Sequence, residues 1–313
     1  MFARYLNPKN DIAFKRIFGT EKNKDILIAF LNDMIDFRGG GPVTNVTFLK
    51  TIQEPEIAIQ KTSIVDILCE DPQGNKWIVE MQVAWDESFK KRAQYYAAKA
   101  YIAQMAIKAE YHNLKEVIFL AITDFIMFPH KKAYKSDHVI LDRNSHEHDL
   151  RDFSFTFLEL PKLKNKTFDE SMTMIEKWAY FFNNADTAPK NETAKIIADY
   201  AILQRAYHEL NSFDWSEDEL QAYERAEKIE ADYWNIMNQR FRQGMAKGIE
   251  EGIEKGIEKG REEGREEGRE EGEKRAQQAM AQKMFDSGLE KTVISQITGL
   301  SADRLNRILD GNT

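Results

Sequence analysis

The chain has 313 residues, 42% of them hydrophobic, which is enough apolar material for one large domain or two smaller ones. The formal net charge is −8 at pH 7, and the single cysteine, Cys69, excludes an internal disulfide framework. Cysteine usage favours a reducing cytoplasm, and we expect neither a signal peptide nor a membrane span, because no long apolar run is present.

The first predicted elements are two helices between residues 11 and 36. Apolar residues recur there at helical spacing, and Gly19-Thr20 is expected to separate the two helices. Asp11 precedes the first apolar turn and allows two interpretations. The favoured one is a side chain that caps the helix N-terminus, and the other is an accessory acid of a functional site.

A strand is predicted over residues 43–52, and a hairpin follows it. Two runs rich in Ile and Val, residues 64–68 and 77–83, flank a turn at residues 71–75 that contains Pro and Gly. Between the first strand and the hairpin, Glu54 and Glu56 are expected to be solvated loop acids rather than site residues.

The hairpin strands carry acids where a core strand is normally apolar. Asp66 and Glu80 interrupt the two runs, and a buried carboxylate needs a cation or a good partner. Glu80 and Gln82 are two residues apart and share one face of the sheet, which Asp66 joins if the register is right. Such a group of oxygens predicts a Mg²⁺ or Mn²⁺ site, and a carboxylate pair satisfied within the sheet, or facing solvent, is the alternative.

The remaining elements of the first half are predicted from their periodicity. They are a long helix over residues 86–109, a strand buried on both faces over residues 115–124, and shorter strands over residues 139–141 and 153–160. Residues 146–149 (His-Glu-His-Asp) are expected to form a polar loop, because no further distant ligand supports a zinc site.

The charge distribution does not by itself favour a nucleic-acid partner. Residues 1–160 carry 21 Lys+Arg and 22 Asp+Glu, whereas tight non-specific binding needs a positive face. Folding has to assemble any such face from dispersed cations. The candidates are Lys15, Arg16, Lys90, Lys91, Arg92 and Lys99.

Beyond residue 162 the pattern becomes helical. Helices are predicted over residues 168–183, 190–211 and 216–242, and the last begins with a capping box of Ser216 and Glu219. We expect residues 1–162 to form the core domain. Residues 163–243 are expected to form a helical layer packed on it.

A glycine recurs at every fourth position from Gly244 to Gly272. Glycine costs a helix up to ~1 kcal/mol relative to alanine, and ion pairs at helical spacing return only ~0.2–0.5 kcal/mol each. Residues 244–275 are therefore either a helical connector that is firm only when paired with a second chain, or a flexible charged spacer.

The last segment, residues 276–313, is predicted to be a small module of three short helices. They are expected over residues 276–285, 291–297 and 302–309, with Ser301 as an N-cap. The arrangement is similar to a helix-turn-helix, but four basic and four acidic residues leave it without net charge. A dimerisation or regulatory module is an equally good interpretation.

Four ordered segments together resemble a known family. Asp66, thirteen residues and then Glu80-Met81-Gln82 are similar to the PD-(D/E)XK nuclease signature, with Gln82 where the usual Lys stands. The other three segments are similar to the Rpn recombination-promoting nucleases, also described as PD-(D/E)XK family transposases. They are residues 7–19, Arg92-Ala93-Gln94-Tyr95-Tyr96, and residues 157–162.

The resemblance implies an α/β fold with a restriction-endonuclease-like core, a mixed sheet flanked by helices, followed by an all-helical C-terminal part. It also implies a metal-dependent DNA endonuclease that acts in recombination, transposition or phage defence. Asp66, Glu80 and the Met81 carbonyl would hold Mg²⁺ or Mn²⁺. Gln82 would complete the catalytic set, although an amide can only orient a water or phosphate by hydrogen bonding.

Further roles follow partly from the same resemblance and partly from the residues: Lys99 and Lys15 from the distribution of charge, and pairing with a second copy from the glycine repeat. Arg92, Lys99 and Lys15 are the expected phosphate contacts, and Asp11 and Tyr95 the expected accessory residues. The expected partners are DNA and a second copy of the chain, paired through the helical C-terminal half. A short C-terminal product from an internal start, Met245 or Met280, is a candidate inhibitor. The rival to an enzyme is a non-catalytic DNA-binding or assembly protein that retains the fold, and RNA is a weaker alternative substrate.

Overall fold

The structure is a computed structural model, and it describes residues 4–37, 41–53, 63–105, 110–164 and 167–309. The chain divides into two compact units, Met1–Trp234 and Asn235–Thr313. The first unit is built on a mixed sheet with flanking helices, and the second is helical, so the predicted fold class is confirmed. None of the described helices combines the length and apolar content that a membrane-spanning segment requires.

The first unit contains eight strands and six complete helices among the described residues. The strands are β1 (Thr47–Phe48), β2 (Ile52–Gln53), β3 (Ser63–Ile64), β4 (Ile67–Glu70), β5 (Lys76–Gln82), β6 (Val117–Thr123), β7 (Lys135–Val139) and β8 (Phe153–Glu159). The helices are α1 (Asp11–Phe18), α2 (Lys24–Met34), α3 (Phe89–Ile102), α4 (Met174–Asn184), α5 (Lys190–Asp199) and α6 (Ala201–Glu209).

Six strands form one sheet in the order β1-β4-β5-β6-β8-β7, and β2 pairs with β3 separately. The central strands β5, β6 and β8 are parallel, whereas β1, β4 and β7 add antiparallel neighbours. Every residue of β6 is buried, as its unbroken apolar run predicts for a strand covered on both faces.

The alternation of side chains along β5 separates the two faces of the sheet. Trp77, Val79 and Met81 face a large core that includes apolar residues of α1, α2, α4 and α6. Ile78 faces the other core, where α3 packs with its small residues. Because side chains alternate, Glu80 lies on the α3 face as well.

Several predicted boundaries differ from the structure. The strand expected over residues 43–52 is two strands of two residues, β1 and β2. The run at residues 64–68 is broken by a bend at Asp66, so this residue precedes β4 instead of lying within a strand. The strand expected at residues 139–141 instead spans Lys135–Val139. Its bounds are set by pairing with β8, which the periodicity of the sequence does not reveal. Glu54 and Glu56 lie outside the described residues.

The helical predictions need several corrections. The helix expected over residues 168–183 begins only at Met174. Helix α3 is shorter than the predicted 86–109, since it begins at Phe89 and ends at Ile102. The segment 190–211 is two helices, because Tyr200 adopts an extended conformation between α5 and α6. Residues 276–285 are not a separate helix and form the end of a 70-residue helix, α7 (Glu217–Asp286).

Helix α7 starts at the predicted capping box, in which the Glu219 carboxylate accepts from Ser216 N at 2.8 Å and Ser216 Oγ accepts from Glu219 N at 3.3 Å. The whole glycine repeat lies within this helix. Two short helices, α8 (Lys291–Thr298) and α9 (Ala302–Leu309), follow it.

The second unit has a small core of its own. Ala281 near the end of α7 packs with Ile294 of α8 and Leu305 of α9, and Leu300 closes the cluster from the turn between them. Gly299 in that turn has φ = +71°, a left-handed conformation that favours glycine. Ser301 Oγ accepts from Arg304 N at 3.4 Å, as predicted for an N-cap.

Candidate active site

Asp66 and Glu80 meet on the α3 face of the sheet. The β4–β5 register pairs Ile67 with Val79, which sets the bend at Asp66 opposite Glu80. The Asp66 backbone N–H donates to Glu80 Oε1 at 3.2 Å, and Asp66 Oδ2 accepts from Met81 N at 2.9 Å. The backbone thus holds both carboxylates in fixed positions next to each other.

Burial makes this carboxylate pair difficult to ionise. Burial raises the pKa of Asp66 to about 6, and the charge of Asp11 adds to this, whereas the Met81 N–H, Lys15 and Arg92 oppose it. Burial likewise raises the pKa of Glu80 to about 8, and the charge of Asp66 raises it further. Two buried like charges side by side favour a bound cation.

The donor set fits a hard divalent cation. It consists of two carboxylates and the Met81 carbonyl. This carbonyl lies on the same side of β5 as the Met81 N–H, which donates to Asp66. Mg²⁺ is held by one or two carboxylates and keeps several waters, so further protein ligands are not required. Among the described residues no group of three or more His, Cys, Asp or Glu side chains is placed to hold a metal.

Gln82 is tied to Arg92 of α3. The Gln82 Oε1 accepts a hydrogen bond from Arg92 Nη2, and its Nε2 donates to Ala84 O at 2.8 Å. The Arg92 Nη1 donates to Asp86 Oδ2 at 2.9 Å. Arg92 Nε is buried and has no hydrogen-bond partner in the part of the chain that the structure describes. A guanidinium therefore stands next to the amide that replaces the signature lysine.

Helix α1 adds a second cation beside the carboxylates. Asn10 is its N-cap, since Asn10 Oδ1 accepts from Ile12 N at 3.0 Å, so the interpretation of Asp11 as the cap was wrong. Asp11 instead forms an ion pair with Lys15 at 2.6 Å, and Lys15 Nζ lies 3.9 Å from Asp66 Oδ1. Asp11 is accordingly placed at the periphery of the carboxylate pair.

Tyr96, which the sequence did not single out, lies closer to the site than Tyr95. Burial raises the pKa of Tyr96, Arg92 opposes this, and the charges of Glu80 and Asp66 add to it. Tyr95 is 44% exposed, and Lys99 Nζ lies 5.7 Å from the centroid of its ring. Helical spacing does not separate the two tyrosines, because residues three and four positions after Arg92 both lie on its side of α3. The structure separates them, since the Arg92 guanidinium carbon lies 6.0 Å from the centroid of the Tyr96 ring.

Arg16 belongs to a different surface. Its guanidinium lies 4.6 Å from the centroid of the Trp215 ring and pairs with Glu219 and, at 3.4 Å, with Glu209. The expectation that Arg16 joins a basic face with Lys15 was wrong, because adjacent residues of α1 point about 100° apart.

Two family matches were found for this chain. Residues 8–240 match the family described as PD-(D/E)XK nuclease family transposase, which is most of the chain. The chain belongs to the PD-(D/E)XK nuclease family transposases. Residues 274–310 match the C-terminal HTH domain of the Rpn/YhgA-like nuclease family.

The predicted resemblance to Rpn and PD-(D/E)XK proteins is therefore confirmed. The HTH match of this PD-(D/E)XK chain covers the end of α7 together with α8 and α9, the elements that share the small second core. A search of the curated proteins and a search of the solved structures each found no match.

Proposed function

We propose that the chain is a metal-dependent endonuclease that hydrolyses DNA phosphodiester bonds. The observation that carries the proposal is the buried pair of Asp66 and Glu80, fixed by the backbone of Met81 and flanked by Arg92 and Lys15. Family membership supports a nuclease. The choice of DNA over RNA rests on the family description and on the HTH match.

In this proposal Asp66, Glu80 and the Met81 carbonyl would hold one or two Mg²⁺ or Mn²⁺ ions. A bound ion would supply Lewis-acid chemistry, which makes water a better nucleophile and stabilises negative charge on phosphate. Water attacks the phosphorus and releases a proton to solvent, the bond to the 3′ oxygen breaks, and that oxygen takes a proton from solvent as it leaves. The protein groups serve to bind and orient the phosphate during this displacement.

Arg92 takes the electrostatic role that the missing lysine has in the signature. Its unpartnered Nε and its delocalised charge suit a phosphate oxygen, and Gln82 holds the guanidinium in place by accepting from Nη2. Lys15 neutralises Asp66 before the substrate binds and is then available to a phosphate. Lys99, two turns beyond Arg92 on α3, is a proposed contact to a more distant phosphate, and Tyr95 and Asp11 are proposed accessory residues.

A plasmid-nicking assay with Mg²⁺ or Mn²⁺ tests the proposal. We expect wild-type protein to nick supercoiled DNA, and Asp66→Asn and Glu80→Gln to lower the rate at least a hundredfold while DNA affinity and thermal stability persist. Glu110→Gln, which changes a carboxylate that is exposed on the surface, is the matched control and keeps full activity. No cleavage by wild type with either metal would favour the rival, a non-catalytic DNA-binding or assembly protein.

We further propose a homodimer formed through α7. Six large apolar residues recur at every fourth position and are all exposed: Met237, Phe241, Met245, Ile249, Ile253 and Ile257. Residues at this spacing form a ridge along the helix surface, and the glycines that precede the last four leave a groove beside it. A second copy presents the same ridge and groove, which allows an isologous pairing.

The same surface gives a proposed role to a short C-terminal product. A product that starts at Met245 retains Ile249, Ile253, Ile257 and the HTH domain but no part of the carboxylate site. It would therefore pair with the full-length chain and form a complex with one catalytic site. We place both forms in the cytoplasm, where the free thiol of Cys69, buried in the core, stays reduced.

A further inference from the structure

Positive charge is gathered around one aromatic ring beside the candidate active site. Phe128 lies in the loop between β6 and β7, and the Nζ atoms of Lys90 and Lys131 each lie 4.9 Å from the centroid of its ring. We refer to Lys90, Phe128 and Lys131 as the Phe128 platform. The His138 ring also packs against Phe128, with 5.0 Å between centroids.

A buried carboxylate holds the loop that carries the platform. Glu159 at the end of β8 is fully buried, and its Oε1 accepts from Met127 N at 2.6 Å and from Phe128 N at 2.9 Å. Lys162 Nζ pairs with Glu159 and donates to Phe128 O at 3.2 Å and to Ala133 O at 3.0 Å. These contacts fix the backbone of the loop, so the platform is formed before any ligand binds.

The platform adjoins the candidate active site through two elements. Asp124, at the start of the loop, donates its backbone N–H to Gln82 O at 3.0 Å. Lys90 and Arg92 both lie in the first turn of α3 and point about 200° apart. The Phe89 ring lies 4.9 Å from the Arg92 guanidinium carbon and belongs to the same core as Phe128. A polymer that crosses this end of α3 can therefore reach both Arg92 and the platform.

The charges of the platform are not neutralised by carboxylates. In the part of the chain that the structure describes, neither Lys90 nor Lys131 forms an ion pair with a carboxylate. Burial lowers the pKa of His138, and the charges of Lys131 and Lys90 lower it further, with Asp137 opposing them. Lys131 Nζ also lies 3.3 Å from His138 Nε2, a neutral partner that leaves its charge in place. The two ammonium groups beside one ring repel each other, and an anion near them offsets that repulsion.

We propose that the Phe128 platform binds the phosphodiester backbone of the DNA substrate next to the scissile bond. This inference rests on the proposed function. Two flexible ammonium groups suit phosphates, and they give no base readout, so the contact is independent of sequence. The platform adds two positive charges to those of Arg92, Lys15 and Lys99 in a chain whose net charge is −8.

The salt dependence of DNA binding tests this assignment. Full-length wild type, Lys90→Gln/Lys131→Gln and a control, Lys195→Gln, are titrated with a labelled duplex in Ca²⁺ over a series of NaCl concentrations. For the double variant we expect about a tenfold loss of affinity near 0.1 M salt and a log–log slope shallower by about 1.8, which corresponds to two lost phosphate contacts. Lys195 is exposed on α5, and its variant keeps the wild-type slope and affinity.

Further outcomes separate this proposal from the one on catalysis. Lys90→Arg/Lys131→Arg keeps the charge and should restore the slope, which excludes misfolding as the cause of the weaker binding. Nicking at saturating DNA should stay within twofold of wild type in all variants. If wild type cleaves DNA and the Gln double variant keeps the wild-type slope, the platform proposal is overturned and the proposed nuclease stands. The predicted slope change in a chain that never cleaves supports the platform and overturns the proposed nuclease.

Discussion

The environment of single residues decides the chemistry of this chain. Asp66 and Glu80 are separated by thirteen residues, yet the Asp66 N–H donates to the Glu80 carboxylate at 3.2 Å, and burial raises the pKa of both groups. Gln82 does not act alone, because its amide oxygen accepts from Arg92. The site thus combines two acids that favour a cation with a guanidinium that favours an anion, as the proposed hydrolysis of phosphodiester bonds would require.

The raised pKa values predict how the stability of the metal-free protein depends on pH. Folding raises the pKa of Glu80 from 4.5 to about 8, so the folded state retains a proton that the unfolded state loses. The associated stability is complete below pH ~4.5 and is lost as the pH rises toward ~8. In EDTA we therefore expect Glu80→Gln to gain thermal stability relative to wild type between pH 5 and pH 8.5, as measured by calorimetry.

Two comparisons check the cause of this effect. Glu110→Gln, at an exposed carboxylate, should track wild type at every pH. Mg²⁺ at pH 8 should raise the midpoint temperature of unfolding of wild type, because a ligand stabilises the state to which it binds. Glu80→Gln lacks the proposed carboxylate ligand, so its midpoint temperature should not change. If the difference in thermal stability between Glu80→Gln and wild type does not change with pH, the raised pKa of Glu80 is not its cause.

At the scale of elements, local sequence fixes most of the helices and pairing fixes the strands. Helix α7 begins at its capping box and continues through eight glycines without interruption. A Cβ built at Gly264, Gly268 or Gly272 meets nothing within 4 Å, so alanine at these positions adds helix propensity without a clash. The glycine repeat is thus not required by packing within one chain.

Alanine substitution of these glycines separates helix propensity from pairing. For Gly264→Ala/Gly268→Ala/Gly272→Ala we expect a stabilisation of the helix by about 1 kcal/mol per site, seen as greater ellipticity at 222 nm during heating. Gly248→Ala/Gly252→Ala/Gly256→Ala gains the same propensity but fills the groove beside the isoleucine ridge, so it should weaken self-association. Equal effects of the two sets on self-association would contradict a groove at Gly248–Gly256.

At the scale of the whole molecule, the chain joins a PD-(D/E)XK unit to a small HTH domain. The first unit contains the carboxylate site, and the second contains three exposed isoleucines of the ridge together with the HTH core. An exposed apolar stripe of this length is unusual for a solvated helix and typical of a helix with a partner.

The homodimer is tested by charging the ridge. Ile249→Glu/Ile253→Glu/Ile257→Glu should convert a dimer into a monomer in analytical ultracentrifugation, because each new carboxylate would be buried without a partner. The matched control, Glu250→Gln/Glu254→Gln/Glu258→Gln, changes the residues that follow the isoleucines and should remain a dimer. A monomeric wild type at micromolar concentration contradicts the proposal.

Sequence alone was sufficient wherever the deciding interactions are local. The buried strand β6, the Ser216–Glu219 capping box and the N-cap at Ser301 follow from periodicity and short-range hydrogen bonds. The family resemblance likewise rested on short ordered segments, and the match over residues 8–240 confirms it.

Only the tertiary structure decided which side chains meet. The bend at Asp66 and the choice of Tyr96 over Tyr95 depend on strand register and on the face of α3 that meets the sheet. The positive charge around Phe128 depends on a loop that Glu159 holds in place. Such contacts join residues far apart in the chain, and their energies depend on burial and distance, which a linear pattern does not contain.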